Sequence, residues 1–465
     1  MAMKVENMQL SLFYFTLAVL FLSACSNSTS PQSTDVNVGS EQTEIINSAR
    51  PNILLIVADD LGYTDLGVYG SEISTPNLDM LAREGQMFSN FYSSTMCSPT
   101  RAMLLSGMDN HRAGVGNLYA KIADNQKGQP GYEGYLSDHV VSLPELLQAA
   151  GYHTYMTGKW HLGDDEAHSP ATRGFDKSYV LAESGASHFS DMKSLSGPEL
   201  AIYRENGKQL DSLPEDFYST RFYADKMIEY INQDRNDTNP FFAYLAFTAV
   251  HFPLQTPGDS IRKYAGKYDQ GYDVLHTNRL NRLRELGIFA ADKEVFPPLL
   301  DEKPWDELSE QERRESSRRM EIYAAMIDEI DSYVGKVIDY LKEVNEYENT
   351  LIFFMSDNGA EGHRLEDGLI PLLEWSGQCC DRSYDNMGNA GSYVMLGPNW
   401  ARAATGPFRL FKGFTTEGGI RVPAFIHYPA AIEGGKINHD IVSVMDVMPT
   451  LLDFSSTGYS RTEFK

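Results

Sequence analysis

The sequence has little positive charge and few cysteines. Its 465 residues include 39 lysines and arginines against 64 aspartates and glutamates, which gives a formal net charge of -25 at pH 7. Nucleic acids and anionic membrane surfaces bind basic protein surfaces, so this balance argues against both as partners. An anionic substrate would need a locally positive pocket. The four cysteines do not indicate a disulfide framework in a chain of this length.

The sequence also has little that could span a bilayer, which takes about 20 apolar residues in a helix. The apolar run from Leu10 to Leu22 is shorter, follows Lys4 and suits the core of a secretory signal peptide. It leads into Leu22-Ser23-Ala24-Cys25, which is similar to a bacterial lipobox, where cleavage leaves Cys25 as a diacylated N-terminus. We therefore expect residues 1–25 to be a lipoprotein signal peptide. The expected location is the bacterial cell envelope, periplasmic or lipid-anchored at the outer membrane; an ordinary signal peptide with an incidental cysteine is the alternative.

The residues after Cys25 change in composition. Residues 26–50 are rich in Ser, Thr, Asn and Gln and have little to bury, which predicts a flexible tether. The chain as a whole is 42% apolar and 22% charged, an ordinary globular composition. Its length allows one large α/β domain with appendages.

Short apolar segments alternate with helical patterns along the rest of the chain. The continuously apolar run Asn52 to Ala58 predicts a central parallel strand that is covered on both faces. Alternation of strands and helices indicates right-handed βαβ units and a mostly parallel sheet flanked by helices. Further strands are predicted at Tyr152 to Met156, Phe241 to Phe247 and Leu351 to Met355, and helices at Pro76 to Glu84, Ser142 to Gly151, Phe222 to Gln233 and Glu310 to Glu343.

Polar residues follow each predicted strand directly. Ligands of open parallel sheets bind beyond the carboxyl ends of the strands. The oxygen ligands of Asp59, Asp60 and the Asp357-Asn358 pair suit a hard cation such as Ca²⁺ or Mg²⁺ better than zinc. Taken singly, Asp60 could instead cap a helix, and Asp357-Asn358-Gly359 could be a plain turn. Lys159, His161 and His251 follow the other two strands.

The stretch Cys97-Ser98-Pro99-Thr100-Arg101, continuing to Gly107, resembles the signature of the sulfatase family. The resemblance implies that a formylglycine-generating maturation enzyme oxidises Cys97 to 3-oxoalanine, the formylglycine aldehyde. Hydrated, the aldehyde offers one hydroxyl to attack sulfur and keeps a second to expel the sulfate, which splits one hard step into two. Without this context Cys97 could be a small buried apolar residue at the start of a helix.

The resemblance extends in order from about Pro51 to Asp453. It includes Phe411 to Pro423 and the stretch Asn386 to Trp400, which looks closest to bacterial arylsulfatases. It implies an alkaline-phosphatase-like α/β sandwich and a sulfatase catalytic domain over residues 51–465. By the same resemblance one calcium ion is held by Asp59, Asp60, Asp357, Asn358 and the formylglycine at position 97.

Fixed cations are the second part of the implied site. A transferring sulfuryl group spreads negative charge over its oxygens, so cations shielded from water lower the barrier. The resemblance assigns Arg101 to the formylglycine diol, and Lys159 and Lys412 to the sulfate. Taken singly, a lysine is more often a solvated surface residue.

Proton transfer is assigned in the same way. His161 would contact the diol and help its second hydroxyl lose a proton, and His251 is a candidate acid toward the leaving oxygen. Asp357 would be both a metal ligand and the base for the attacking hydroxyl. Either histidine alone is more often structural.

We therefore expect hydrolysis of sulfate esters, arylsulfatase-like, on a sulfate-ester small molecule or a sulfated glycan. One alternative is a phosphonate or phosphate ester hydrolase with the same site. Another is a non-catalytic lipoprotein that binds sulfated glycans through the basic pocket.

Two further expectations concern the C-terminal third. Family members usually continue past the helix that Asp446 to Phe454 resembles into a smaller domain, whereas this sequence stops at Lys465, so that domain is expected to be largely missing. The adjacent Cys379 and Cys380 are expected as two thiols rather than a strained vicinal disulfide.

Overall fold

The computed structural model describes residues 50–457, apart from 196, 294, 296, 298–301 and 366–369. The chain divides into the units Met1–Asn47 and Ser48–Lys465, and the described residues lie in the second. The predicted signal peptide, the Cys25 anchor and the tether up to residue 49 lie outside the described residues. So do residues 458–465, and the expected shortening of the C-terminal part stays a prediction. No helix in the described ranges is both long and apolar enough to cross a membrane.

The strands and helices alternate over most of the chain. The strands are β1 (Asn52–Ala58), β2 (Gln86–Phe88), β3 (Phe91–Tyr92), β4 (His153–Lys159), β5 (Lys177–Leu181), β6 (Tyr203–Glu205), β7 (Lys208–Gln209), β8 (Phe241–Ala246), β9 (Thr350–Ser356), β10 (Ala424–His427), β11 (Lys436–Asn438) and β12 (Val442–Ser443). The α-helices are α1 (Pro76–Glu84), α2 (Cys97–Ser106), α3 (Leu143–Ala149), α4 (Ser219–Asp234), α5 (Gly258–Arg262), α6 (Tyr272–Glu285), α7 (Glu310–Glu343), α8 (Ile370–Cys379), α9 (Pro398–Thr405), α10 (Glu417–Ile420) and α11 (Val447–Phe454).

Ten of these strands form one mixed sheet in the order β11-β2-β10-β9-β1-β8-β4-β5-β6-β7. Its centre, from β9 to β5, is parallel. In β1, Leu54 lies beside Ala243 of β8 on one side and Ile352 of β9 on the other. The strands β10, β6 and β7 pair antiparallel to their neighbours toward the two edges.

Helices cover both faces of the parallel centre. Successive side chains of a strand point to opposite faces, and those of β1 enter two different cores. Leu54 and Ile56 belong to a core with residues of α1, α4 and α7. Leu55 and Val57 belong to another with residues of α2, α3 and α11. This burial on both faces explains the continuously apolar sequence of β1 and confirms the predicted α/β fold.

Helix α7 begins and ends where the sequence predicts. Its start is fixed by a capping box, in which the Ser309 hydroxyl accepts from the Glu312 backbone N–H and the Glu312 carboxylate accepts from the Ser309 N–H. Ser142 and Glu145 form the same kind of capping box at the start of α3.

Strand β4 differs from its predicted bounds. It runs to Lys159 because Thr157 and Gly158 continue the pairing with β8 and β5. Gly158 has φ +108°, and a Cβ there would lie 1.7 Å from the carbonyl oxygen of Ala246. Only glycine allows the strand to pass β8 at this distance, and the extra residues place Lys159 at the strand end.

The expectation of two thiols at Cys379 and Cys380 is wrong, because the two residues are joined by a disulfide. They lie at the end of α8 and pack against a small apolar cluster that includes Phe252 and Tyr393. Lys193 donates a hydrogen bond of 2.9 Å to the carbonyl oxygen of Cys379. Packing and this hydrogen bond hold Cys379 and Cys380 in a conformation in which their sulfur atoms can bond. The sequence alone does not show this conformation.

Candidate active site

The predicted site residues meet at the carboxyl ends of the central strands. Asp59 and Asp60 follow β1, Lys159 ends β4, and Asp357 follows β9. His161 and Asn358 follow β4 and β9, and the other members come from the loop after β8, from the first turns of α2 and from the loop before α10. Nearly all are buried, with His161 partly so: Asp59, Asp60, Cys97, Arg101, Lys159, His161, His251, Asp357, Asn358 and Lys412.

Two of these residues have left-handed backbone conformations. Asp60 has φ 64° and His161 has φ 56°, a region that costs a non-glycine residue of order 1–3 kcal/mol and is enriched at functional sites. The Asp60 N–H donates to Oδ1 of Asp357 at 3.2 Å. The next helical element begins only at Gly67, so Asp60 does not cap a helix and its carboxylate is directed into the site.

The carboxylates are packed against fixed cations. Lys159 Nζ donates to Asp59 Oδ2 at 2.6 Å, and Lys412 Nζ lies 2.8 Å from Asp60 Oδ1. Burial alone would raise the pKa of Asp59, but the charges of Lys159 and Arg101 outweigh it and the pKa is lowered. Burial raises the pKa of Asp60 to about 7 against the charge of Lys412, and the negative Asp59 adds to the rise. Carboxylates crowded in this way would be stabilised by a further cation.

Two buried oxygens in this group have no hydrogen-bond partner among the described residues, Oδ1 of Asp59 and Oδ1 of Asn358. Leaving such atoms unsatisfied is costly. Ligand atoms of Asp59, Asp60, Cys97 and His251 all lie within 4.8 Å of one another. The oxygen donors of this group, two of them unsatisfied, fit a hard divalent cation.

Asp357 is more fully occupied than its neighbours. Its Oδ2 accepts two hydrogen bonds from Arg101, and Oδ1 accepts from the Asp60 backbone. As a metal ligand it would use a remaining lone pair. The alternative of a plain turn at Asp357 to Gly359 does not account for these contacts, which join the end of β9 to the residues after β1.

Cys97 begins α2 and is 1% exposed. Its Sγ is 3.9 Å from Oδ1 of Asp60. Burial raises the pKa of the Cys97 thiol far above its ordinary value, although Lys159 and Lys412 oppose the rise. The thiolate is the nucleophilic form of cysteine, so the unmodified side chain is a poor reagent at this position. Arg101, one turn later on the same helix, lies on the same face.

The two histidines are both held neutral. His251 Nδ1 lies 2.7 Å from the carbonyl oxygen of Phe252, which can only accept, so Nδ1 carries the hydrogen and Nε2 presents a lone pair. Nε2 lies 3.7 Å from Asp60 Oδ2. Burial and the charge of Lys412 hold the pKa of His251 well below its ordinary value. His161 Nδ1 is buried and has no hydrogen-bond partner in the described part of the chain. Burial and the charge of Lys159 lower the pKa of His161 likewise.

Glu361 is a site residue that the sequence reasoning missed. It is buried, and its Oε2 lies 3.5 Å from Lys412 Nζ. Its Oε1 accepts from the backbone N–H of His363 at 2.8 Å and lies 2.5 Å from His363 Nδ1. Burial would raise the pKa of Glu361, but Lys412 and His363 lower it to about 2. Its position three residues after Asn358, in the loop beyond β9, was the available signal.

Comparisons with known proteins cover the whole of this site. The family described as Sulfatase matches residues 51–456. An uncharacterized sulfatase of Schizosaccharomyces pombe is 46% identical over 432 residues, which are 90% of this chain and 77% of that protein. An arylsulfatase of Klebsiella aerogenes is 39% identical over 419 residues, 89% of this chain and 88% of the relative. A crystal structure of Ps i-CgsB in complex with k-i-k-neocarrahexaose is similar with a TM-score of 0.61 and 28% identity, covering 89% of this chain and 74% of that one.

Proposed function

Because this chain belongs to the sulfatase family and is a sulfuric ester hydrolase, we propose that it acts through a formylglycine made from Cys97 beside a bound Ca²⁺. Its fold is the expected alkaline-phosphatase-like sandwich. The observation that carries the proposal is the position of Cys97, which is buried near three fixed cations and near two unsatisfied oxygens, one of Asp59 and one of Asn358.

The proposed groups would supply the covalent and Lewis-acid chemistry. A hydrated formylglycine provides a hydroxyl that attacks sulfur and a second that expels the sulfate, and a hard cation polarises sulfate oxygens. Asp59, Asp60 and Asn358 would hold the cation together with Asp357 and the modified position 97. Their oxygen ligands favour Ca²⁺ or Mg²⁺, and the family resemblance favours Ca²⁺.

The chain's own cations hold the substrate. Lys159 and Lys412 lie on either side of the carboxylates at 2.6 and 2.8 Å, where they can neutralise the oxygens of a sulfate. Because both lysines are buried, their charges act with little screening by water. Arg101 fixes Asp357, the predicted base for the attacking hydroxyl.

The two histidines would carry the remaining proton transfers. In the free protein His251 is neutral and its Nε2 faces the site, so it must gain a proton before it can act as an acid. A bound sulfate brings negative charge, which favours the protonated form. His161 would take a proton from the second diol hydroxyl.

Peptide mass spectrometry tests the proposal directly. The chain, expressed in a host with a formylglycine-generating enzyme, should show an aldehyde at position 97 and hydrolyse 4-nitrophenyl sulfate. Cys97→Ala should fold, show no aldehyde and lack turnover. A fully active preparation in which position 97 is entirely thiol would overturn the assignment.

The same preparation separates the alternatives. A phosphonate or phosphate ester hydrolase would turn over the 4-nitrophenyl phosphorus ester faster than the sulfate ester. A non-catalytic glycan-binding lipoprotein would retain sulfated oligosaccharides without releasing sulfate. The similarity to a structure solved with k-i-k-neocarrahexaose supports a sulfated glycan as one candidate substrate.

A further inference from the structure

A cavity of about 450 Å³ has His161 in its wall. Four carboxyl residues, Glu133, Asp164, Asp165 and Glu183, line it together with Tyr119 and Tyr135. Among the described residues, no lysine or arginine lines this cavity. The cavity is therefore acidic, although it adjoins a site built to hold an anion.

The segment after β5 joins this cavity to both histidines. The His161 N–H donates to the carbonyl oxygen of Ala182 at 3.1 Å. Three residues further, a Cβ on Gly185 would lie 3.0 Å from His251 Nδ1. The same segment supplies Ala182 and Glu183 to the cavity wall. The alcohol part of an ester whose sulfate lies among Cys97, Lys159 and Lys412 would thus extend into this space.

The aromatic side chains of the cavity are accessible. Tyr119 is 75% exposed, and its ring packs on Gly134, where a Cβ would lie 2.5 Å from the ring. Tyr135 stacks on His168 with ring centroids 3.6 Å apart. Aromatic faces contact the apolar C–H faces of a sugar, and carboxylates accept hydrogen bonds from its hydroxyls.

Two of the four carboxyl groups already have partners within the protein. One Asp165 oxygen lies 2.8 Å from His168 Nδ1, and Glu183 accepts a 2.8 Å hydrogen bond from the Ile202 N–H through Oε2. The negative charge of these groups repels a second anionic substituent on the substrate. A neutral hydroxyl meets no such repulsion.

We propose that this acidic cavity receives the alcohol part of the ester and selects an uncharged, hydroxyl-rich sugar that carries a single sulfate. The inference rests on the proposed function and deepens it. A second sulfate or a carboxylate on the same sugar ring would face Glu183 and Asp164 and bind poorly.

Matched sugars test the inference. The aldehyde-containing enzyme is assayed for sulfate release from galactose 6-sulfate, galactose 2,6-disulfate and 4-nitrophenyl sulfate. We expect kcat/KM for the monosulfated sugar to exceed that for the disulfated one by at least about tenfold, the effect of one moderately screened charge repulsion. Glu183→Gln and Asp164→Asn should each lower the ratio of kcat/KM for the monosulfated sugar to kcat/KM for the disulfated sugar. Tyr119→Ala should raise KM for the monosulfated sugar. Glu166→Gln, an exposed neighbour outside the cavity wall, should leave the ratio unchanged.

The outcomes of these assays distinguish failure of the inference from failure of the proposed function. If the enzyme cleaves 4-nitrophenyl sulfate but turns over the disulfated sugar as well as the monosulfated one, the inference is wrong and the proposed function stands. The inference is also wrong if neither carboxyl variant changes this ratio of kcat/KM while thermal unfolding shows that both variants are folded. If the aldehyde-containing protein cleaves no sulfate ester at all, the proposed function fails and the inference fails with it.

Discussion

Arg101 donates two hydrogen bonds to a single carboxylate oxygen of Asp357, from Nε at 3.0 Å and from Nη2 at 2.7 Å. Its Nη1 donates to the carbonyl oxygen of Lys159 at 2.8 Å. Both side chains of the ion pair are completely buried. One guanidinium therefore connects helix α2 with the ends of β4 and β9, and its charge is compensated inside the site.

The fork shape of this side chain predicts the effect of Arg101→Lys. Lysine keeps the charge but cannot make the three directed bonds. We expect kcat on 4-nitrophenyl sulfate to fall by roughly 10²–10³-fold, the usual effect of losing a positioned donor in an active site. Arg173→Lys is the matched control, since Arg173 is buried and donates to backbone carbonyls outside the site. Equal losses of kcat in the two variants would contradict the positioning role of Arg101.

The unsatisfied Oδ1 of Asn358 predicts a calcium-dependent stability. A ligand at 100 times its Kd stabilises a folded protein by about 2.7 kcal/mol, so calcium should raise the midpoint of thermal unfolding above that in chelator. Asn358→Ala should reduce both this shift and the calcium content by elemental analysis. Asn52→Ala, a buried asparagine at the start of β1, should lower stability but keep the shift. An undiminished shift in Asn358→Ala would exclude this oxygen as a ligand.

Substitution of the two histidines should change the dependence of kcat on the leaving group in different ways. If His251 supplies the leaving-group proton, His251→Ala should slow esters of poor leaving groups by about 10²–10⁴-fold and spare esters of acidic phenols. His161→Ala should slow release of sulfate whatever the alcohol. The measurement is kcat for aryl sulfates of graded phenol acidity. The same dependence in both variants would refute this division of roles.

Asp331 of α7 predicts a pH-dependent contribution to folding. Its Oδ1 accepts from the backbone N–H of Leu78 at 2.8 Å, in the first turn of α1, where Thr75 provides no side-chain cap. Asp331→Ala should cost about 1–3 kcal/mol, since it leaves a buried donor unsatisfied. Asp339→Ala, an exposed position of the same helix, is the control.

Burial raises the pKa of Asp331 from 3.8 to about 6, despite the opposing hydrogen bond from Leu78. A group whose pKa is raised on folding contributes stability that is complete below its unfolded pKa and lost as the pH rises through its folded pKa. The loss caused by Asp331→Ala should therefore be larger at pH 5 than at pH 7 in thermal unfolding. A loss that grows with pH would contradict the raised pKa.

The proposed Cys25 anchor predicts where the protein is found in cells. The full chain should partition into detergent extracts of the envelope, and Cys25→Ser should release it into the soluble fraction. Cys379→Ser, at a cysteine far from the predicted lipobox, should leave the partition unchanged. A wholly soluble wild-type product would count against the anchor.

Sequence patterns predicted the fold best where one local cause dominates. Strand β1 is covered on both faces, so its apolar run marks its bounds, and α7 carries its own capping box. Strand β4 was predicted too short because its last residues, Thr157 to Lys159, are polar or glycine and are held only by pairing with neighbours. The short edge strands such as β7 leave no readable pattern.

For the site, the sequence predicted which residues take part but not which of them contact one another. Asp59, Lys159 and Asp357 were predictable because ligands gather at strand ends, and Cys97 because of its motif. Glu361 was missed because it is linked to the site through Lys412, which is distant in sequence. The cysteine pair shows the same limit, since the bond between Cys379 and Cys380 depends on how the end of α8 packs.

The complete burial of Cys97 would set the order of events during synthesis under the proposed conversion to formylglycine. A maturation enzyme could not reach a side chain that is 1% exposed, so the proposed conversion would have to come before the sheet closes over α2. Asp357, the partner of Arg101 on that helix, follows it by 256 positions. At about 5–20 residues per second, its synthesis takes on the order of 10–50 s longer. Under the proposed conversion, folding and oxidation would compete for the same segment, and conditions that speed folding or slow the maturation enzyme would yield a well-folded but permanently inactive protein.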